Sequence, residues 1–144
     1  MWFQKKIRLP ALPQGFHLVT DLLVSELPEI TRLRVGMVQF FVLHTSASLS
    51  LNENADPTVR HDFAEYLNRV APESQAYFRH TAEGPDDMPA HLKTGLLGNS
   101  VLLPVTDGAL ALGTWQGIWF GEHRARPTRR WLVVTGQGEI MNSE

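Results

Sequence analysis

The chain predicts an α+β protein built on mostly antiparallel sheet. Strand-like segments occupy both ends, two helical segments lie between them, and the last third reads as β throughout. Residues 2–9 set Trp2, Phe3, Ile7 and Leu9 among Lys5, Lys6 and Arg8, as an edge strand does, and Pro10, Pro13 and Gly15 end it. Residues 16–20 form a second short strand. Asp21 caps a short helix carrying Leu22, Leu23 and Leu27, which Pro28 breaks. Residues 29–35 are helical or irregular, and residues 37–43 make the most apolar strand of the chain. From Asp56 to Val70 the stripe Val59, Phe63, Tyr66, Leu67 and Val70 recurs at helical spacing, with Asp56 as N-cap and Pro57 at the first helical position. Residues 76–80 read as a short strand, and Pro89 opens a second helix ending near Gly95 or Gly98. Residues 100–105, 109–120 and 130–135 complete the strands, with Asp107-Gly108 as a turn.

A length of 144 residues suits one domain over residues 1–144, and the 43% hydrophobic content suffices for a core. The formal net charge of −2 provides no global basic field for nucleic acid or a membrane surface. With no cysteine, any metal must rely on His, Asp, Glu or backbone oxygen. The chain shows neither a secretory leader nor an apolar run long enough to span a membrane, so the expected location is the cytoplasm. Residues 109–120 place large apolar side chains on both strand faces, which a small domain can bury by association.

Chemistry concentrates between His44 and Pro57, directly after the most apolar strand. His44, Thr45, Ser46, Ser48, Ser50, Asn52, Glu53 and Asn54 lie there. His44, His80 and His91 each sit at the end of an element beside polar residues; three neutral imidazoles would leave an open position on a zinc-like ion. The loop Glu83-Gly-Pro-Asp86-Asp87 suits either a divalent cation, an orienting contact to a metal-bound histidine, or a helix cap. Arg124, Arg126, Arg129 and Arg130 cluster before the closing strand, where guanidinium forks suit phosphate oxygens and Thr45, Ser46 and Ser48 can add hydroxyls. Glu53 is a candidate general base or ligand. His17 and His61 read as ordinary strand and helix-surface residues, while His123 can line a site.

The blocks His44-Thr-Ser-Ala-Ser-Leu, Asn52-Glu-Asn-Ala-Asp-Pro57, Gly84-Pro-Asp-Asp-Met-Pro-Ala-His91, Leu112-Gly-Thr-Trp-Gln-Gly117 and Glu122-His-Arg124 occur in an order that resembles the YjbQ-like family, from about residue 5 to Glu139. Members are often named secondary thiamine-phosphate synthases. The resemblance implies a two-sheet β-sandwich with two main helices, assembled as a homotrimer, with a histidine-lined pocket for a divalent metal (zinc or magnesium) or a phosphate-like anion. It makes His44, His80 and His91 the expected metal ligands. Glu53, Asp56, Asp86, Gln116, Glu122 and Arg124 carry over as motif residues. Together with the hydroxyl and arginine reading above, this makes Glu53, Gln116 and Arg124 the expected catalytic residues, and Thr45, Ser46, Asn52, Glu122 and Arg130 the expected substrate-binding residues. Thr58 departs from the Asp expected after the Asp-Pro pair, and the arginine-rich stretch around Pro127 departs as well.

The family name implies a transferase that joins a pyrimidine pyrophosphate to a thiazole phosphate and releases pyrophosphate, whose charge cations must offset. Two alternatives use the same residues: a non-catalytic trimer that binds a small anionic or phosphorylated metabolite, and a metal-dependent hydrolase of a small phosphate compound.

Overall fold

The computed structural model describes residues 1–142. Strand β1 (Trp2–Arg8) and strand β2 (Gly15–Leu18) lead to helix α1 (Thr20–Ser25) and a 3-10 turn at Pro28–Arg32. Strands β3 (Leu33–Val42) and β4 (Ala47–Glu53) precede helices α2 (Pro57–Val70) and α3 (Asp87–Leu97). Strands β5 (Ser100–Thr106), β6 (Ala109–Leu110), β7 (Gln116–Glu122) and β8 (Trp131–Ile140) finish the chain. Every strand pairing is antiparallel. One sheet has the order β1-β8-β3-β5-β6, the other β2-β7-β4.

The sheets pack face to face. Alternate residues of the larger sheet, among them Ile7, Val38, Phe40, Val42, Leu103, Leu132 and Val134, meet Ala47, Leu49, Ile118 and Phe120 of the smaller one in a single core. The smaller sheet is covered on its other face too. Trp119 is fully enclosed there, 5.4 Å from the Phe63 ring in an edge-on contact, and Phe16 and Leu67 close the cluster. Burial on both faces explains the unbroken apolar reading of residues 118–120. It is satisfied within one chain, so it supplies no argument for association.

The α+β architecture, the antiparallel sheets, the α2 boundaries and the Asp107-Gly108 turn agree with the sequence reading. Both turn residues have positive φ, 48° and 81°, as a tight hairpin of this hand requires. Four local readings are corrected. Residues 47–53, left without an element of their own in the polar stretch after residues 37–43, are a strand, because Ala47, Leu49 and Leu51 alternate with small polar residues. The expected strand at 109–120 is interrupted: residues 111–115 turn outward, the Gly113 N–H donates to Gln116 Oε1 at 2.8 Å, and Trp115 is exposed. Residues 76–80 form no strand. Helix α3 begins at Asp87 rather than Pro89, since a proline in the first turn loses only an N–H that has no helical partner there. No helix among the described residues is long and apolar enough to cross a membrane.

Candidate functional site

Helix α3 carries Asp87 and His91 four residues apart, so both project from one helical face over the β3–β4 connection. His80 reaches the same point from the loop after α2. Asp87 Oδ2 lies 2.7 Å from His80 Nε2 and 3.1 Å from His91 Nε2. Donor atoms of the three residues all lie within 4.8 Å of one another. Ligand atoms around a divalent ion at bond lengths of roughly 2.1 Å stand about 3.0–3.4 Å apart, so this cluster needs little adjustment to hold one. Two imidazoles and one carboxylate form a set that leaves coordination positions open. Asp87 is buried while His80 is half exposed, so those positions face solvent.

The surrounding groups orient these ligands. His91 Nδ1 stands 3.0 Å from the Thr45 carbonyl oxygen. A carbonyl only accepts, so the proton is on Nδ1. In neutral His91 the Nε2 lone pair then confronts a carboxylate oxygen, a repulsive contact that a bound cation or a second proton relieves. Arg124 NH1 lies 2.8 Å from Asp87 Oδ1, which leaves Oδ2 for the histidines. The same guanidinium donates from Nε to Asp86 Oδ2 at 2.8 Å and from NH2 to the Glu83 carbonyl at 2.9 Å. Burial works to raise the Asp87 carboxyl, but His80, His91 and Arg124 overcome it and hold it below the usual range. Asp86 behaves alike: the Ala125 N–H and Arg124 outweigh burial.

A cleft of about 630 Å³ adjoins the cluster, lined by Ser46, Glu83, Asp86, Arg124, Arg126 and Arg130, among others. Its arginines are largely spent. Arg130 donates from Nε to Glu122 Oε1 at 2.8 Å and from NH2 to Glu122 Oε2 at 2.6 Å, with both side chains buried. Arg124 is committed to Asp86 and Asp87. Arg126 also lines the cleft and makes no ion pair among the described residues, so of its three arginines two are committed to carboxylates.

The expected residues therefore divide. His80 and His91 converge, with Asp87 completing the set in place of His44. His44 Nε2 accepts the Trp131 backbone N–H at 2.8 Å. An imidazole accepting at one nitrogen carries its proton on the other and has no lone pair left for a metal. Burial first, then Arg130, lowers the His44 pKa and keeps the ring neutral. Arg124 lies at the cluster, but as the group that positions Asp87. Thr45 contributes its carbonyl rather than its hydroxyl, and Ser46 Oγ accepts from Arg130 NH2 at 3.0 Å. Glu122 is fully enclosed and anchors Arg130, so it does not reach a ligand.

Glu53, Gln116 and Asn52 lie elsewhere. The register pairs Glu53 with Gln116 and Ala47 with Glu122, which puts the former pair at the far end of the small sheet. At ~3.3 Å per residue that is on the order of 20 Å away. There Asn52 Oδ1 accepts from the Glu53 N–H and Gln116 caps Gly113, which are local turn contacts.

Of two further buried groups, the sequence reading named His123 as able to line a site and passed over Lys93. His123 Nε2 is hydrogen-bonded to Ser48 Oγ at 2.8 Å, across Gly121, where a Cβ would lie 2.7 Å from the imidazole. Burial, then Lys93 and Arg130, push the His123 imidazole down to about 3. Lys93 is buried between α2 and α3, where burial lowers its pKa against the pull of Glu73. The Asp87–His91 pair was legible as an i, i+4 spacing once the helix is started at Asp87.

Fold and cluster together define a small α+β sandwich protein with a candidate metal centre of two imidazoles and one carboxylate. The chain belongs to the UPF0047 family: the family model described as "UPF0047 protein YjbQ-like" matches residues 5–139. The UPF0047 protein YjbQ of Escherichia coli O157:H7 is 49% identical over 139 residues, spanning 96% of this chain and 100% of the relative. Its Salmonella typhimurium LT2 counterpart is 50% identical over the same share of each chain. A crystal structure of a hypothetical protein from Aeropyrum pernix K1 superposes with a TM-score of 0.83 at 26% identity, over 95% of this chain and 99% of that one. The names of these relatives carry the family designation or none, and no reaction. The family's function is unknown. The expected thiamine-phosphate synthase-like transferase is thereby overturned.

Proposed function

We propose that the protein binds a divalent metal on His80, Asp87 and His91 and uses the open side of that ion to take a small anionic metabolite, phosphorylated or carboxylated, in the adjoining cleft. The observation that carries this reading is the His91 tautomer. With Nδ1–H given to Thr45, the Nε2 lone pair is aimed at the Asp87 carboxylate, an arrangement made for a cation between them. Two nitrogen ligands suit zinc or another imidazole-binding ion and not magnesium, which takes oxygen ligands. Because Arg124 and Arg130 are tied to carboxylates, the metal, together with Arg126, supplies the charge that holds the anion.

The test is calorimetric titration of chelator-treated protein with zinc, followed by inorganic phosphate. One equivalent of zinc is expected, lost in His91→Ala and Asp87→Asn, with phosphate binding only to the zinc-loaded protein. Equal zinc uptake by wild type and both variants would overturn the reading.

We further infer that the chain assembles as a homotrimer through the outer face of the larger sheet. Val35, Met37, Phe41, Leu43 and Leu102 are exposed there as neighbours in register on β3 and β5, or just beyond β3. An apolar area of this kind on a small protein favours contact with another copy. Sedimentation equilibrium decides it: the expected mass is three times that of the chain, and a monomer at micromolar concentration refutes it.

A further inference from the structure

The other buried charges of the molecule are paired: Glu122 meets Arg130, and Asp87 meets two histidines and Arg124. Lys93 is the exception. It is 5% exposed, it is the only buried lysine among the described residues, and it makes no ion pair there. Its Nζ donates to Asn68 Oδ1 of α2 at 2.7 Å. An ammonium has three protons to give, and a buried charge without a counter-ion is costly.

The space around Lys93 is hollow. It lines two cavities, of about 210 Å³ and about 260 Å³, which share Gln14, Asn68 and Lys93 and so form one divided cleft between α2, α3 and the start of β2. Phe16, Ala64 and Leu67 give the smaller chamber an apolar wall. The acidic groups facing the cleft do not neutralise Lys93. Glu122 and Asp86 are held by arginines, and Glu65 and Glu73 stand beyond ion-pair distance. His123, on the same wall, is bonded to Ser48.

We propose that the Lys93 cleft is a second ligand site, separate from the metal cluster, that takes a small monocarboxylate with a compact apolar body. The carboxylate meets the Lys93 ammonium and the free Asn68 amide N–H, and the body lies against Phe16, Ala64 and Leu67. A single negative charge matches a single ammonium. A phosphate dianion does not, with Glu65 and Glu73 at the rim and no second cation. The smaller chamber has the volume share of about seven liquid waters, which suits a ligand of benzoate size.

Benzoate is the probe, titrated calorimetrically into the zinc-loaded full chain, with benzamide as its uncharged counterpart. Saturable one-site binding is expected for benzoate, with benzamide at least tenfold weaker. Lys93→Met is expected to weaken benzoate at least tenfold, and Ala64→Leu, which fills the chamber and leaves the ammonium in place, to do the same. His91→Ala is expected to leave benzoate affinity within twofold of wild type even where it abolishes zinc uptake. Unchanged affinity in Ala64→Leu, or loss of benzoate binding in His91→Ala, would overturn the proposal, the latter by placing the carboxylate on the metal. Absence of saturable binding to wild type at millimolar benzoate would overturn it as well.

Discussion

Arg124 holds Oδ1 of Asp87 at 2.8 Å, and this contact decides which Asp87 oxygen faces the histidines. The carboxylate is thereby restricted to one free oxygen, and its rotation is blocked by a fork that also grips Asp86. Replacing such an orienting partner commonly costs about 10–100-fold in metal affinity. Arg124→Lys retains the charge and loses the fork. Its zinc affinity is expected to fall by about that factor with the stoichiometry intact. Zinc titration in competition with a chromophoric chelator measures it, and wild-type affinity would show that Arg124 does not position Asp87.

His44 provides the opposite expectation. Its Nε2 is engaged by the Trp131 N–H, so His44→Ala leaves one zinc per chain. The variant still loses stability, by about 1–3 kcal/mol, because a partly buried N–H is left without a partner. Zinc stoichiometry and urea unfolding on the same sample separate the two effects. A variant that binds no zinc would restore His44 to the ligand set.

The Glu122–Arg130 pair is closed to solvent, so removing one charge strands the other. Glu122→Gln is expected to cost about 3–5 kcal/mol of folding stability. The double replacement Glu122→Leu with Arg130→Met should cost less than the sum of the two single changes, because no orphan charge remains. Denaturant midpoints at pH 7 provide the comparison, and simple additivity would count against a coupled pair.

His123 makes the fold sensitive to mild acid. Its folded pKa lies near 3, chiefly through burial, while an unfolded histidine titrates near ~6.5. Between those values the unfolded chain binds the extra proton, so stability is complete above the unfolded value and falls with pH by about 1.4 kcal/mol per unit. Asp86 and Asp87 also lose their contribution as pH falls, but only below the ordinary carboxylate range. Between about pH 6.5 and 4.5 the slope therefore comes from the buried histidines, chiefly His123, with His44, whose pKa is also lowered by burial, adding to it in the same direction. His123→Gln is expected to flatten the stability profile in that interval, and an unchanged slope would assign it to another group.

Much of the architecture was legible because the deciding signals are local. Asp56 and Pro57 mark the start of α2, Asp107-Gly108 marks a hairpin, and apolar alternation marks β3, β5 and β8. What stayed hidden was non-local. Ser48 and Ser50 were read among the polar groups of a candidate site, because nothing nearby in sequence shows that Ser48 bonds a buried histidine and that Ser50 pairs across the sheet with Trp119. Glu53 and Gln116 resembled site residues by type, yet the antiparallel register carries them to the far end of the sheet. The grouping of His80 with His91 was anticipated. The exchange of His44 for Asp87 turned on one backbone N–H, that of Trp131, eighty-seven residues from its acceptor.

The three donor side chains of the candidate centre come from parts of the fold that differ in rigidity. Asp87 and His91 share a rigid helix and stand ready as a two-toothed clip, whereas His80 hangs on an irregular segment and is half in solvent. An ion bound there as proposed would be held by the helix pair, with His80 as the donor on the less regular support. Changes within residues 71–86, a stretch with no helix or strand, would then be expected to alter how long such an ion stays while leaving Asp87 and His91 in place.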